Sequence, residues 1–204
     1  MVKAVLFDFD GVLTTDATGS YSICNYISKN ANIDKELFQK EYYKYNEKLL
    51  YGKINHKDIW SRLCENLGKD IPFEILEDSF INTPIDINMM SVVYSLKEEG
   101  YKIAMVTDNK KDRVDSVANY YKLNELFDTI VVSSEIGSGK KEYEIFMQTI
   151  KKLQVEASEC VFIDNSEKNL IAPKKMGMKV IYFDDDTRNM DTLLDELVMS
   201  GVKI

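Results

Sequence analysis

Short runs of β-branched and other apolar residues alternate along this chain with segments of helical periodicity. The apolar runs are too short for helices and therefore predict strands, at residues 3–9, 102–106, 129–132, 160–163 and 179–183. The helical patterns that alternate with them lie at residues 88–99, 110–121, 142–153, 166–176 and 190–199. This order is typical of a parallel sheet covered by helices on both faces. We therefore expect a three-layer, Rossmann-like α/β core with a parallel sheet.

One long segment interrupts the alternation after the first predicted strand. It shows helical patterns only, at residues 21–30, 34–50, 55–67 and 72–80. Asn55, with Asp58 three residues later, predicts the start of one of these helices. We therefore expect two domains: an α/β core at residues 1–14 and 88–204, and a helical-bundle cap at residues 15–87.

Composition limits the setting and the partners of the chain. Its longest stretch without a charged residue is the twelve residues 17–28, whereas a membrane span needs roughly 18 or more apolar residues. The net charge of −8 disfavours general binding to nucleic acid or to an anionic membrane. The three cysteines form no CxxC pair, which indicates a reducing compartment. We expect a cytoplasmic protein, a monomer or weak dimer, with neither nucleic acid nor membrane as partner.

Polar residues follow four of the predicted strands where each strand ends. In chain order they are Asp8 and Asp10, Thr107 and Asp108, Lys140, and Asp164. Ligands of open parallel sheets bind outside the carboxyl ends of the strands. Carboxylates that meet there repel one another unless a cation lies among them. Mg²⁺ suits one or two carboxylates together with water and phosphate oxygens, and a lysine would neutralise phosphate.

Four segments of the chain resemble, in the same order, the four motifs of the haloacid dehalogenase superfamily. They are residues 8–14 (DFDGVLT), 105–109 (MVTDN), 137–146 (GSGKKEYEIF) and 161–165 (VFIDN). The resemblance implies a hydrolase of the phosphatase type with a helical cap inserted after the first motif. It further implies a Mg²⁺-dependent enzyme that hydrolyses a small phosphate monoester, such as a sugar phosphate, through an aspartyl-phosphate.

The resemblance also implies a role for each matching residue. Asp8 would be the nucleophile, and Asp10 the general acid and then the general base. The other implied assignments are Thr107 and Lys140 as ligands of the phosphoryl group, Phe9 and Asp108 as sources of backbone N–H groups near the phosphate, and Asp8, the backbone carbonyl of Asp10, and Asp164 as ligands of Mg²⁺. Lys141 is the alternative to Lys140, and Asn165 replaces a common second acid of the fourth motif.

Other functions fit the same residues less well. True haloacid dehalogenases lack the second acid of the first motif, whereas Asp10 is present here. A phosphomutase of the β-phosphoglucomutase type shares the core and remains the alternative. Phospho-accepting receiver domains order their acids differently and lack the helical insertion, and a silent binding module would not need the full set.

Two features of residues 15–87 have simpler interpretations. His56, the single histidine, is expected to be a surface or capping residue rather than a metal ligand. The aromatic residues of this segment predict the core of a small helical bundle in preference to a substrate platform. They are Tyr42, Tyr43, Tyr45, Tyr51 and Trp60.

Overall fold

The computed structural model describes residues 1–204 and contains one parallel sheet. Its strands are β1 (Ala4–Phe7), β2 (Lys102–Thr107), β3 (Thr129–Val132), β4 (Cys160–Asp164) and β5 (Lys179–Tyr182). Their order across the sheet is β3-β2-β1-β4-β5. The sequence therefore predicted every strand and the parallel arrangement. The first strand is shorter than its predicted range of 3–9.

The helices observed match the predicted segments to within one or two residues at most ends, with two additions. They are α1 (Gly19–Asn30), α2 (Lys35–Leu50), α3 (His56–Leu67), α4 (Phe73–Ile81), α5 (Ile87–Glu98), α6 (Lys111–Tyr120), α7 (Leu123–Leu126), α8 (Ser133–Ile136), α9 (Glu144–Leu153), α10 (Glu167–Lys175) and α11 (Met190–Met199). The additions, α7 and α8, are four residues each, too short to produce a helical pattern in a sequence. No helix is both long and apolar enough to cross a membrane.

The central strand is apolar throughout because both of its faces are covered. Val5 and Phe7 belong to a hydrophobic cluster on one face, and Ala4 and Leu6 belong to a second cluster on the other. All four residues are fully buried. Alternate side chains of a strand point to opposite faces, so β1 supports two helical layers. This observation confirms the three-layer α/β prediction.

A tight turn follows β1 and accounts for its early end. Residues 9–13 turn sharply, and the backbone N–H of Thr14 donates to the carbonyl of Phe9 at 3.0 Å. Gly11 has φ +83°, and a Cβ atom at this position would come within 2.1 Å of the Asn165 amide. Both the backbone angle and the close approach require glycine there. The turn directs Asp8 and Asp10 to the carboxyl edge of the sheet.

Helices α1–α4 occupy the interruption between β1 and α5. The two ends of the insertion lie side by side. Thr15 N–H donates to Pro84 O at 3.0 Å, and Asp86 N–H donates to Leu13 O at 2.9 Å. The predicted reciprocal cap of α3 is present: Asn55 Oδ1 accepts from Asp58 N–H, and Asp58 Oδ2 accepts from Asn55 N–H.

Buried residues of the four helices join the cluster that contains Val5 and Phe7. The inserted segment is thus helical, as predicted. Its division from the rest of the chain as a separate cap domain at residues 15–87 stays a prediction.

Candidate active site

A cavity of about 500 Å³ opens at the carboxyl edge of the sheet, beneath α1 and α2. Five of the residues predicted for the site line it: Asp8, Asp10, Thr107, Asp108 and Lys140. The inserted helices contribute Ser20 from α1 and Tyr43, Asn46 and Leu50 from α2. Of the other predicted residues, Asp164 is fully buried against Lys140 and Phe9 is buried in the turn after β1.

Lys140 joins the ends of two neighbouring strands. Its Nζ lies 2.6 Å from Asp8 Oδ2 and 2.7 Å from Asp164 Oδ2. Lys140 is 2% exposed, whereas the adjacent Lys141 is exposed to solvent. Burial acts to lower the pKa of Lys140, but the carboxylates of Asp8 and Asp164 outweigh it and raise the pKa above its ordinary value. Lys140 is therefore a fixed ammonium at the point where the two strand ends meet.

The carboxylate of Asp8 lies in a site with too little positive charge. Burial raises its pKa well above the ordinary value, Lys140 opposes this, and Asp164 adds to it. Burial also raises the pKa of Asp108, whose Oδ1 accepts from the Lys140 backbone N–H at 2.9 Å. The buried carboxylates of Asp8 and Asp164 thus share the one ammonium that contacts them, that of Lys140, which favours binding of a further cation.

Hydrogen bonds from the loop after β4 and from the first turn of α10 fix the carboxylate of Asp164. Its Oδ1 accepts from Ser166 N–H at 2.8 Å and from Asn169 Nδ2 at 3.1 Å. Asn165, which follows Asp164, instead donates to Asp185 Oδ2 at 3.2 Å. The contribution of Asn169 was not predicted, because an asparagine within a helical pattern gives no signal of its contacts.

Arg113 binds the side chain of Asp10, an interaction that the sequence did not predict. Its Nη1 and Nη2 each donate to one Asp10 carboxylate oxygen at 2.8 Å. Asn109 Nδ2 also donates to Asp10 Oδ2 at 2.8 Å, and Arg113 Nη2 donates to Thr83 Oγ1 at 3.0 Å. Arg113 is fully buried on the face of α6 that carries Val114 and Val117. A charged residue within that apolar stripe was the sequence feature that could have indicated a buried, paired arginine.

Two of the groups predicted to meet phosphate have protein partners. The backbone N–H of Phe9 donates to Asp8 Oδ1 at 2.7 Å. Thr107 Oγ1 accepts from Asn109 Nδ2 at 3.3 Å and is almost completely buried. These donors and acceptors are therefore already oriented at the strand ends.

The residues present fit a hard divalent cation by their chemistry. The predicted ligands comprise the carboxylates of Asp8 and Asp164 and the carbonyl of Asp10, all oxygen donors, as Mg²⁺ prefers. No group of three or more His, Cys, Asp or Glu side chains is placed to hold a metal by itself. A metal at this edge would therefore need ligands besides protein side chains, a need that backbone oxygen, water and phosphate meet.

His56 is not a surface residue, contrary to its prediction. Its side chain is fully buried, with Nδ1 2.6 Å from Asp112 Oδ2 and Nε2 2.8 Å from the Tyr42 hydroxyl.

The aromatic residues of the insertion divide between the two interpretations, the core of a helical bundle and a substrate platform. Tyr42 and Trp60 are buried in the core, whereas Tyr43 is 41% exposed and lines the cavity.

Known proteins resemble the chain along most of its length. Residues 5–183 match the family model of haloacid dehalogenase-like hydrolases. A sesquiterpene phosphatase of Aspergillus oryzae is 25% identical over 187 residues, 90% of each chain. A glyceraldehyde 3-phosphate phosphatase of Methanopyrus kandleri is 24% identical over an alignment of 221 positions, gaps included. The alignment covers 96% of this chain and 92% of the relative.

A solved structure has the same fold. It is a haloacid dehalogenase family enzyme from Bacteroides thetaiotaomicron, in complex with magnesium and inorganic phosphate, and it superposes with a TM-score of 0.75 at 18% identity. The match covers 95% of this chain and 99% of that chain. Together with the family match over residues 5–183, the agreement of sequence and fold shows that the chain belongs to the haloacid dehalogenase-like hydrolases.

Proposed function

We propose that the chain is a Mg²⁺-dependent phosphatase that hydrolyses a small phosphate monoester through an aspartyl-phosphate on Asp8. The observation that carries the proposal is the contact of Lys140 Nζ with both Asp8 and Asp164, at 2.6 and 2.7 Å. Phosphoryl transfer depends mainly on positioning and on neutralising charge. A buried ammonium beside a buried carboxylate at the floor of a cavity supplies both.

In the first step, an oxygen of the Asp8 carboxylate attacks phosphorus and the bond from phosphorus to the ester oxygen breaks. Lys140 and the hydroxyl of Thr107 hold the oxygens of the transferring group. Asp10 gives its proton to the leaving oxygen, which departs as an alcohol. In the second step, Asp10 takes a proton from water, whose oxygen attacks phosphorus. Inorganic phosphate leaves, and the Asp8 carboxylate is restored.

Bound Mg²⁺, held by Asp8, Asp164 and the carbonyl of Asp10, would supply the positive charge that these carboxylates and a phosphate dianion lack. This assignment is supported by the position of Asp8 and Asp164 at the ends of neighbouring strands, where both carboxylates contact the same lysine, Lys140. It also agrees with the magnesium and phosphate in the Bacteroides enzyme of the same fold.

Asp10 needs a change of partners to act as an acid. Both of its oxygens accept hydrogen bonds from the guanidinium of Arg113, which only donates, so Asp10 cannot donate a proton to this partner. The side chain therefore has to leave Arg113 before it carries a proton to the leaving oxygen. We infer that substrate in the cavity provides the alternative partner for Asp10.

The substrate is a small metabolite rather than a phosphoprotein. The cavity measures about 500 Å³ and is bounded on one side by residues of α1 and α2, which leaves room for a small organic phosphate. The two phosphatase relatives act, by their names, on a sesquiterpene compound and on glyceraldehyde 3-phosphate. We propose that residues 15–87 form a cap that selects among such molecules.

The test is release of inorganic phosphate from a panel of phosphorylated metabolites, with Mg²⁺ and with excess chelator. We expect turnover with Mg²⁺ only, and none for Asp8→Asn. Lys140→Met should lose at least ~100-fold in kcat/KM, in the range seen when one transition-state donor is removed. Lys141→Met is the matched control, since this neighbouring lysine is exposed, and it should retain most activity.

Absence of turnover for every monoester by folded, Mg²⁺-loaded protein would exclude the proposed activity. An isomeric sugar phosphate in place of free phosphate would identify a mutase instead.

A further inference from the structure

Lys110 is a buried lysine that neither the sequence motifs nor the proposed mechanism uses. It is 3% exposed and lines the same cavity as Asp8 and Lys140. Its Nζ donates to Ser20 Oγ at 2.7 Å and lies 5.7 Å from the centre of the Tyr42 ring. Lysines are rarely buried without a paired acid, so this position calls for an explanation.

No acid of the protein neutralises Lys110. The charged neighbours that act on it most are Arg113, Asp10 and Asp112. Asp10 is bound on both oxygens by Arg113, and Asp112 is bound by His56. Lys110 itself takes part in none of the salt bridges of the structure. Burial and, after it, the Arg113 guanidinium lower the pKa of Lys110 to about 7. A negative charge placed beside Lys110 would raise its pKa and so oppose both effects.

The groups around Lys110 offer donors to the cavity. Ser20 Oγ donates to Asn46 Oδ1 at 2.9 Å, so the hydroxyl is already used as donor and acceptor. The remaining N–H groups of Lys110 and the amide Nδ2 of Asn46 make no hydrogen bond to the protein, whereas Ser20 and Asn46 both line the cavity. A lysine amino group and an amide that line one cavity, contact the same hydroxyl and keep donors without a protein partner suit an anionic oxygen group.

We propose that Lys110, Ser20 and Asn46 form a specificity subsite for a second anionic group of the substrate, a carboxylate or a phosphate carried by the leaving group. The proposal rests on the proposed phosphatase function, because it places this anion in the cavity that receives the phosphate ester. It divides recognition between the sheet edge, which supplies Lys110, and the inserted helices, which supply Ser20 and Asn46. The preferred substrates are therefore phosphorylated acids or bisphosphates rather than neutral alcohol phosphates.

The test compares alkyl phosphates that differ only at the far end, which is a methyl group, a carboxylate or a second phosphate. The quantity measured is the ratio of kcat/KM for each acidic compound to that of its methyl counterpart. Lys110→Met should lower this ratio roughly 10- to 100-fold, as expected for loss of a hydrogen bond between charged groups. Ser20→Ala should lower it less. Lys168→Met is the control, because Lys168 is an exposed lysine of the same cavity, and its ratio should change less than ~3-fold.

Calorimetric binding of the same compounds to Asp8→Asn, with and without Lys110→Met, separates the subsite from the chemistry. Tighter binding of the acidic compounds that is lost with Lys110→Met supports the subsite even if no ester is hydrolysed, in which case only the proposed phosphatase function fails. Equal kcat/KM ratios and equal binding in wild type, Lys110→Met and Ser20→Ala would overturn the proposed subsite. If Lys110→Met does not fold, Ser20→Ala decides. The carboxylate and phosphate compounds together show which anion is preferred.

Discussion

At the scale of single residues, Asp8 and Asp10 are expected to fail in different ways when each is changed to asparagine. Asp10→Asn retains the backbone carbonyl but cannot transfer a proton, so turnover should fall by ~10²–10⁴. A nitrophenyl ester has a good leaving group and needs little protonation in the first step. Asp10→Asn should therefore still form the phosphoenzyme on Asp8 with this ester, but hydrolyse it slowly. Intact-protein mass spectrometry after brief mixing would show the added phosphate.

Arg113 makes a stability control necessary for this variant. Asparagine cannot neutralise the buried guanidinium that Asp10 binds at 2.8 Å, and breaking one side of such a pair is destabilising. The kinetic comparison is valid at temperatures where Asp10→Asn remains folded by circular dichroism. Phosphate found on Asp10 in the wild-type protein, or full activity of Asp8→Asn, would contradict the assigned roles.

The buried His56 predicts how stability depends on pH. Asp112 can only accept, so Nδ1 of a neutral His56 carries the proton and Nε2 accepts from the Tyr42 hydroxyl. Burial lowers the pKa of His56 below its ordinary 6.5, Asp112 opposes this, and the cations Lys110 and Arg113 add to it. The unfolded chain therefore takes up the proton more readily. The free energy of unfolding should fall as pH drops from about 6.5 through the lower pKa of the folded state.

This pH effect can be isolated by subtraction. Urea unfolding of wild type and His56→Gln at pH 7.5, 6.5 and 5.5 gives the difference between the two proteins, in which other titrating groups cancel. The free energy of unfolding of wild type minus that of His56→Gln should decrease below pH 6.5. The decrease is at most about 1.4 kcal/mol per pH unit, the limit for one proton. A difference independent of pH would show that His56 does not titrate in this range.

At the scale of elements, the start of α5 depends on a single acid with two functions. Asp86 Oδ1 accepts from the backbone N–H groups of Asn88 and Met89, at 2.8 and 3.1 Å. Its Oδ2 accepts from Arg188 Nη2 at 2.6 Å, and Arg188 also donates to the carbonyls of Gly11 and Val12 in the turn after β1. Asp86 thus connects α5, the turn that positions the acids of the site, and the loop before α11.

Two substitutions of Asp86 distinguish its role as the N-cap of α5 from its ion pair with Arg188. Asp86→Asn retains a capping oxygen and loses the charge, which should cost about 1.5–3 kcal/mol of unfolding free energy. Asp86→Ala loses both and should cost about 1 kcal/mol more. Asn189→Ala, which removes only the cap of α11, is the matched control, with a loss of about 1 kcal/mol. Equal stability of Asp86→Asn and wild type in urea titrations would rule out a role for the Arg188 pair.

The elements were predictable where the sequence repeats a simple pattern. Apolar runs that end in Asp8, Thr107 and Asp164 located three strands and, with them, the edge at which the candidate site lies. The end of β1 at Phe7 was missed, because Asp8 and Phe9 continue the apolar alternation while the turn depends on Gly11 packing against Asn165. Local patterns indicate which segment forms, but not where tertiary contacts stop it.

The predictions fail for side chains whose partners lie far away in the sequence. Arg113, Lys110 and His56 each acquire their position only when α6 packs against the inserted helices. The partners of Arg113 and His56 are 103 and 56 residues distant along the chain. A charged or titratable residue on a helix has no local signal that distinguishes a buried pair from an exposed side chain. Motifs therefore predicted the residues at the strand ends, but not the groups that hold and surround them.

At the scale of the whole molecule, the inserted helices and the sheet should unfold together. A hydrophobic cluster of 39 residues includes Val5 and Phe7 of the sheet together with Ile23, Phe38 and Trp60 of the insertion. Trp60 is the single tryptophan, so its fluorescence reports the insertion alone. Cys160 is fully buried in β4, and its reaction with a thiol reagent, distinguished from that of Cys24 and Cys64 by peptide mapping, reports the sheet. Because the cluster is continuous, the two probes and far-UV circular dichroism should give one coincident transition in urea.

A change in Trp60 fluorescence at a lower urea concentration than the one that exposes Cys160 would contradict this expectation. It would show that residues 15–87 unfold as a unit of their own, and would support the division of the chain into core and cap domains.

The order of strands in the sheet also sets a schedule for the growing polypeptide. Phe7 of the central strand pairs with Met105 on one side and with Ile163 on the other. β1 is therefore the first strand to leave the ribosome, but it gains its second neighbour only after β4 has been synthesised. At the usual speed of translation, roughly ten to thirty seconds separate the synthesis of Asp8 from that of Asp164. During that interval the apolar strand β1 has at least one open edge, which is available for aggregation or for a chaperone. The candidate site is therefore complete only near the end of translation, and a message cut short before β4 yields a chain that carries Asp8, the proposed nucleophile, but lacks Asp164 beside it.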